Sequence, residues 1–443
     1  MNTPGFDLAE SPGARHNTIV FTGNFTNDRN DEIVTLSVTI MDLGDPGAGV
    51  DMIGVKTGMQ PPDPESVAWI GTIPETPPPP TPPPQPIIPE IISSGNFQLH
   101  NLVKHHLSSP NAFQKGISLI DWTSFNLPSP GLYLPPGTDR SLLNLAATGA
   151  NWVGFQVNAG QMTIESTTIF RDSPATATDE ELRRVVDLAH SLGMRVMLRA
   201  FLGQLYNDPG HWSNHIGTAF TSEDQWQEWF ASYRDNINHY ATFSQEAGVD
   251  MLCIGVEMGG VTHREEEWRR VIQEVRERFK GPITYSSLCK PFASDSFPEM
   301  SRIKWWDAMD YIGVTGYYQL TDKNDPTVEE LKAAWTEKGH LALMENLSSR
   351  FNKPIIITEI GYYSKDGVNR WPAGYGREAP IDLQEQADCY QAALEVLWGK
   401  PWLKGIFWFQ WDADPSSGGS NSDTFTPYGK PAQEVLKRFY LLQ

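Results

Sequence analysis

Eight short apolar runs recur between residues 116 and 411. They are GISLI (116–120), WVGFQVN (152–158), RVMLRAF (195–201), MLCIGVE (251–257), PITYSS (282–287), YIGVTGYY (311–318), PIIITEIGY (354–362) and GIFWFQW (405–411). Near-continuous apolar character predicts strands covered on both faces, as in a parallel sheet. Amphipathic stretches separate the runs and carry helix-start signals. Capping boxes read at Thr178–Glu181, Ser222–Gln225 and Thr262–Glu265, and with Asp as cap at Asp382–Glu385. Helix stops read at Gly193, Gly248 and Gly281, each just before an apolar run. Eight strand–helix alternations over about 330 residues fit an α/β fold, a closed (β/α)8 TIM barrel. A doubly wound open sheet is the competing architecture, but no glycine-rich phosphate loop follows the first strand.

Ahead of the barrel the pattern differs. PETPPPPTPPPQPIIPE (74–90) is too rich in proline to pack a core, and predicts a stiff extended linker. Before it, NTIVFTGNF and EIVTLSVTIMDLG are β-branched and partly alternating, so residues 1–73 predict a small β-rich extension. The barrel domain is expected over 91–443.

Charge narrows the partners. The 443-residue chain carries 34 basic and 54 acidic residues, a net charge of −20. Nucleic acid and anionic membranes call for a basic surface, so neither is expected as a partner. A neutral oligo- or polysaccharide is compatible, with the chain acting as a monomer. No run of about 18 apolar residues predicts a membrane span. The first residues lack the basic-then-apolar pattern of a leader, and secreted and cytoplasmic locations both stay open. Three cysteines, Cys253, Cys289 and Cys389, cannot all pair and have no metal-ligand spacing. The 15 Trp, 14 Tyr and 20 Phe supply core or sugar-stacking platforms, the second only near a site.

The chemistry gathers where the runs end. MLCIGVE closes on a carboxylate, Glu257, and IIITEIGY carries Glu359 near its end. In a (β/α)8 barrel both strand ends open on one mouth. Two carboxylates facing each other across a cleft are what glycoside hydrolysis uses. The structural alternative is that each is half of an ion pair.

The motifs DYIGVTGYYQL, KPIIITEIGYYS, GIFWFQWDAD and TPYGKPAQEVLKRFY, with WQEWFASYRDNINHYATFSQEAGVDMLCIGVE and EEEWRRVIQEVRERFKGPITYS, resemble glycoside hydrolase family 113. The resemblance runs from about 111 to 443. It implies a retaining β-1,4-mannanase without cofactor or metal, with Glu257 as acid/base and Glu359 as nucleophile. Tyr317 resembles the tyrosine that hydrogen-bonds the nucleophile, with Tyr318 as the competing choice, since strand neighbours face opposite ways. Trp411 would stack under the sugar at the cleavage point, with Trp408 in the core. Arg199, on the third strand, either meets sugar hydroxyls, braces a carboxylate or forms an ion pair in the core. His211 and His215 are four apart, which invites zinc, but no third ligand is near. The resemblance instead places their loop by the substrate, with Trp212 and Asn214 in contact, and Trp371 is a further platform.

The pattern also departs from the family. Val256 stands where an Asn commonly precedes the acid/base, and Ser287 and Leu288 replace an Asn-Trp pair. These positions touch sugar recognition, so action on another β-linked glycan, transglycosylation and a non-catalytic binding barrel remain as alternatives.

Overall fold

The computed structural model describes residues 107–109, 111–121, 131–171, 175–205, 207–208, 210–290, 297–374 and 377–442, and as backbone strands 5–7, 17–26, 33–42, 51–57 and 68–69. The chain divides into two compact units, residues 1–102 and 103–443.

The first unit is an antiparallel sheet of β1 (Gly5–Asp7), β2 (Asn17–Thr26), β3 (Ile33–Asp42), β4 (Asp51–Thr57) and β5 (Ala68–Trp69), in sequential order. The two β-branched runs form β2 and β3, paired along their full length from Asn17↔Asp42 to Thr26↔Ile33. The proline-rich stretch at 74–90 lies outside the described residues.

The second unit is a closed parallel barrel. Its elements are β6 (Gln114–Ile120), α1 (Gly137–Ala146), β7 (Trp152–Gln161), β8 (Ile169–Phe170), α2 (Asp179–Ser191), β9 (Arg195–Leu205), α3 (Glu223–Ala247), β10 (Met251–Val256), α4 (Glu265–Arg278), β11 (Ile283–Leu288), α5 (Glu299–Arg302), β12 (Ile312–Thr315), α6 (Val328–Glu337), α7 (His340–Phe351), β13 (Ile355–Ile360), α8 (Leu383–Leu397), β14 (Leu403–Asp412) and α9 (Pro431–Leu442). Hydrogen bonding runs β6-β14-β13-β12-β11-β10-β9-β7, and β6 pairs with β7 to close the ring. The short β8 folds back antiparallel on β7. Every apolar run became a barrel strand, because a strand covered inside by side chains and outside by helices has no solvent face.

Two layers of core result. Trp152, Met197, Met251, Cys253, Val256, Ile356 and Phe407 form one cluster inside the ring. A larger cluster lies between strands and helices, where α3 buries Trp229, Tyr233, Ile237, Tyr240, Ala241 and Ser244 at helical spacing. Most tryptophans are therefore packing residues: Trp229 stacks on Tyr233, and Trp268 on Trp305 at 4.8 Å.

The capping signals divide. Thr178–Glu181 and Ser222–Gln225 are complete capping boxes, and so is Thr327–Glu330 on α6, which the sequence reading passed over. Asp382 caps α8 by accepting from the Glu385 N–H, but the Glu385 carboxylate turns inward to the Gly367 and Asn369 N–H groups. Thr262 does not cap α4. Its buried hydroxyl donates to the Gly259 carbonyl, and the helix starts after Arg264. Gly193 and Gly248 have φ of 80° and 71°, the left-handed region that favours glycine. Among the described residues no helix is long and apolar enough to cross a membrane.

Candidate active site

β10 is apolar because it is buried along its whole length. Its pairing with β11 slips between Cys253 and Val256, so both of these side chains join the inner cluster despite opposite parity. Glu257 follows with φ of 49°, a left-handed backbone uncommon for a glutamate. Three hydrogen bonds fix that turn. The Glu257 N–H donates to Ser286 O at 2.8 Å. The Met258 N–H donates to the Tyr285 hydroxyl at 2.7 Å, and that hydroxyl donates to Glu299 Oε1 at 2.7 Å. Glu299, fully buried, also accepts the Leu288 N–H at 2.8 Å.

The pairing of β13 with β12 slips in the same way, between Val314 and Thr315, and sets Thr315 opposite Glu359. The Thr315 hydroxyl donates to Ser287 O at 3.2 Å and also lowers the proton affinity of Glu257, so one residue touches both acids' surroundings. Glu359 is 8 % exposed and held from two sides. Tyr317 Oη donates to its Oε1 at 2.6 Å, and the Arg199 guanidinium donates to its Oε2. Arg199 projects inside the ring from β9, fully buried, and its Nε and Nη1 have no hydrogen-bond partner among the described residues. A buried guanidinium in this setting is costly unless a carboxylate balances it, and Glu359 is that carboxylate.

The two acids are electrically unlike. Burial first, and the negative charge of Glu359 second, push the Glu257 carboxyl up to about 8. Glu299 adds to the rise, while Thr315 and the Lys290 ammonium oppose it. Glu359 keeps a cation and a phenol on its oxygens.

The remaining sequence candidates fall at different distances from this pair. Tyr317 meets Glu359, whereas Tyr318 turns to the helix side, against Trp335 and His340. Trp212 stands 63 % exposed on the loop after β9. That loop packs on the turn after Glu257: Asn214 O accepts the Gly260 N–H at 3.0 Å, and Ser213 Oγ donates to Glu257 O at 3.4 Å. His211 pairs with Asp208 at 2.6 Å and stands edge-on to His215. Trp371, 42 % exposed, lines a cleft of about 480 Å³ together with Tyr317, Lys290, Gln319, His340 and Arg370. Its ring is already engaged by the Arg370 and Arg377 guanidinium carbons, at 4.1 and 3.9 Å from the centroid.

Trp411 is elsewhere. It is 1 % exposed in the helix-facing cluster, with its ring 5.2 Å from Tyr428. The reason is a third slip, between Phe409 and Trp411 in the pairing of β14 with β6. Phe409 is instead the β14 aromatic grouped with Tyr317, which meets Glu359, and with Phe425 and Ile120. Trp408 is core, stacked on Tyr390 at 3.8 Å. Sequence reasoning missed Phe409, Tyr285, Glu299 and Lys290. Only Lys290 had a local signal, as a charge just past an apolar run. Asp325, Asp366 and Asp382 bring carboxylate oxygens within 4.8 Å of one another on the loops after β12 and β13.

Comparison with known proteins places this arrangement. A solved family 113 β-1,4-mannanase is 28 % identical, covers 75 % of this chain and 100 % of its own, and superposes with a TM-score of 0.63. The family 113 β-mannanase of Alicyclobacillus acidocaldarius is 24 % identical over 75 % of this chain and 98 % of its own, with a TM-score of 0.61. A β-D-glucuronidase of Dictyoglomus thermophilum, 15 % identical over 99 % of this chain and 68 % of its own, with a TM-score of 0.50, shares the fold alone. No curated protein matches the chain in sequence. The model of glycoside hydrolase family 113 matches residues 123–430, more than half the chain and nearly all of the barrel that carries Glu257 and Glu359, and the chain therefore belongs to glycoside hydrolase family 113, as a β-mannanase-like hydrolase.

Proposed function

We propose that the protein is a retaining endo-glycoside hydrolase that cleaves β-1,4-mannosidic linkages in mannan or glucomannan, with Glu257 as acid/base and Glu359 as nucleophile. The observation that carries this reading is the asymmetry of the pair: Glu257 is held protonated up to about 8, while Glu359 is braced by Arg199 and Tyr317. Retaining glycosidases need this division of labour between two carboxyl groups.

In the first step Glu257 gives its proton to the glycosidic oxygen as the bond to the anomeric carbon breaks. Glu359 attacks that carbon from the opposite face and forms a glycosyl ester. Arg199 and Tyr317 keep one carboxylate orientation, so attack starts from a fixed position. Esterification removes the charge of Glu359, which lowers the proton affinity of Glu257. Glu257 then takes a proton from water, the water attacks the ester, and both acids return to their starting states. The Trp212–Asn214 loop, packed on the turn after Glu257, and the cleft between Tyr317 and Trp371 supply contacts to the sugar chain. Phe409 rather than Trp411 borders the reacting sugar in this reading.

The test is a product screen on mannan, glucomannan, xylan, cellulose and chitin oligosaccharides, with NMR of the first product anomer. Release of β-mannosides supports the reading. An inverted first product removes the covalent intermediate, and exclusive cleavage of another glycan removes the mannan assignment. Glu257→Gln and Glu359→Gln should each lower kcat by at least about 10²–10⁴-fold with the fold retained by circular dichroism.

A further inference from the structure

The chain has a net charge of −20, yet the described walls of the cleft beside Tyr317 carry Lys290 and Arg370 and no carboxylate. Neither cation has an ion-pair partner among the described residues. Arg370 is held in place: its guanidinium lies on the Trp371 ring, its Nη1 donates to Asn324 Oδ1 at 3.0 Å, and its buried Nε has no hydrogen-bond partner among the described residues. Arg377 lies against the same indole. Two guanidinium groups on one ring repel, and an anion beside them relieves that repulsion.

Lys290 fixes which arm of the cleft is cationic. It sits two residues past β11, the strand whose Ser286 carbonyl accepts the Glu257 N–H at 2.8 Å. Glu257 is the group that protonates the leaving oxygen in the function proposed above, on which this inference rests. The side of the cleft next to it therefore receives the leaving-group portion of the glycan. A set of side chains built for neutral hexoses would offer carboxylates and amides to accept sugar hydroxyls. Among the described residues this wall offers Gln319, His340 and two cations without an ion-pair partner.

We propose that the Lys290–Arg370 arm of the cleft binds an acidic sugar unit, a hexuronic acid carboxylate, on the leaving-group side of the scissile bond. The protein is then selective for acidic β-linked glycan over its neutral counterpart. Attraction of this kind raises kcat/KM through encounter and orientation, and weakens with salt.

The test uses the full chain and three matched β-1,4-manno-oligosaccharides: neutral, oxidised to the C6 carboxylate on the leaving-group units, and sulfated at the same carbons. At low salt kcat/KM should be about tenfold higher for the carboxylated substrate than for the neutral one, a gap that narrows at high salt. In Lys290→Gln/Arg370→Gln the ratio should fall to near one, and Lys290→Arg/Arg370→Lys should restore most of it. Calorimetric binding of the same oligosaccharides to Glu257→Gln reads the preference without turnover. No hydrolysis of any substrate, together with tighter binding of the carboxylated one, overturns the mechanism and supports the acidic site. Equal kcat/KM and equal binding of neutral and carboxylated substrates overturn the acidic site. So does a ratio unchanged in the double Gln variant, or a sulfated substrate preferred tenfold over the carboxylated one.

Discussion

Glu257 concentrates the energetics of the site in one residue. Its left-handed backbone is disfavoured for a side chain with a Cβ, so the surroundings must hold it there. The chain Glu299–Tyr285–Met258 N–H does so, and the charge of Glu299 also raises the proton affinity of Glu257. In the proposed mechanism the first step needs a protonated Glu257, so kcat/KM should fall as pH rises through about 8, a limb read from a pH profile. Glu299→Gln should move that limb to lower pH. Tyr285→Phe should lower kcat more than it raises KM, because the Met258 N–H loses its acceptor. Stability obeys the same linkage. The folded Glu257 binds its proton more tightly than the unfolded one, so its stabilising share is complete below about 4.5 and is lost as pH rises through about 8. Glu257→Gln, neutral in both states, should therefore raise Tm by a few degrees at pH 9 relative to wild type, with little change at pH 4. An equal Tm shift at both pH values would sink that account.

The elements show how far pattern reaches. All eight apolar runs are barrel strands, since burial on both faces is written in composition alone. Helix starts were legible where Ser or Thr precedes a Glu or Gln by three, as at Thr178 and Ser222. The same spacing failed at Thr262, because the chain there is still turning after Glu257 and Thr262 serves that turn instead. Thr178→Ala should cost about 1 kcal/mol by thermal denaturation, since both halves of its capping box are made. The strand ends were harder. Period-two alternation puts Trp411 in line with Phe409 and Phe407, but the slips in β10, β12–β13 and β14 break alternation just where the functional residues stand. Of the two neighbouring tyrosines, Tyr317 donates its hydroxyl to Glu359, while Tyr318 packs on Trp335 and His340.

At the scale of the molecule, ring closure brings together residues far apart in the chain. Arg199 on β9, Glu257 after β10, Thr315 on β12 and Glu359 on β13 meet at one end of the barrel. All of them belong to residues 103–443, as does the whole of the family match at 123–430. We propose that residues 1–73 and the proline-rich 74–90 form an appendage that takes no part in bond cleavage. A chain of residues 103–443 should then keep kcat/KM on soluble oligosaccharides within about threefold of the full chain, as for a unit with its own core. A loss of more than tenfold with the barrel still folded would show that the N-terminal unit contributes to the site.

The sequence by itself determined the barrel, the strand that carries each acid and the class of reaction, because strand burial, helix caps and the family motifs are local and readable in order along the chain. Tertiary structure decided the rest: which way each strand-end side chain points, that Arg199 answers Glu359, that Glu299 acts through Tyr285, and that Trp411 joins the helix-facing core while Phe409 packs on Tyr317. These depend on one-residue slips between neighbouring strands and on charges meeting across a closed ring. Such outcomes are fixed by the energy of the packed whole and leave no mark at any single position.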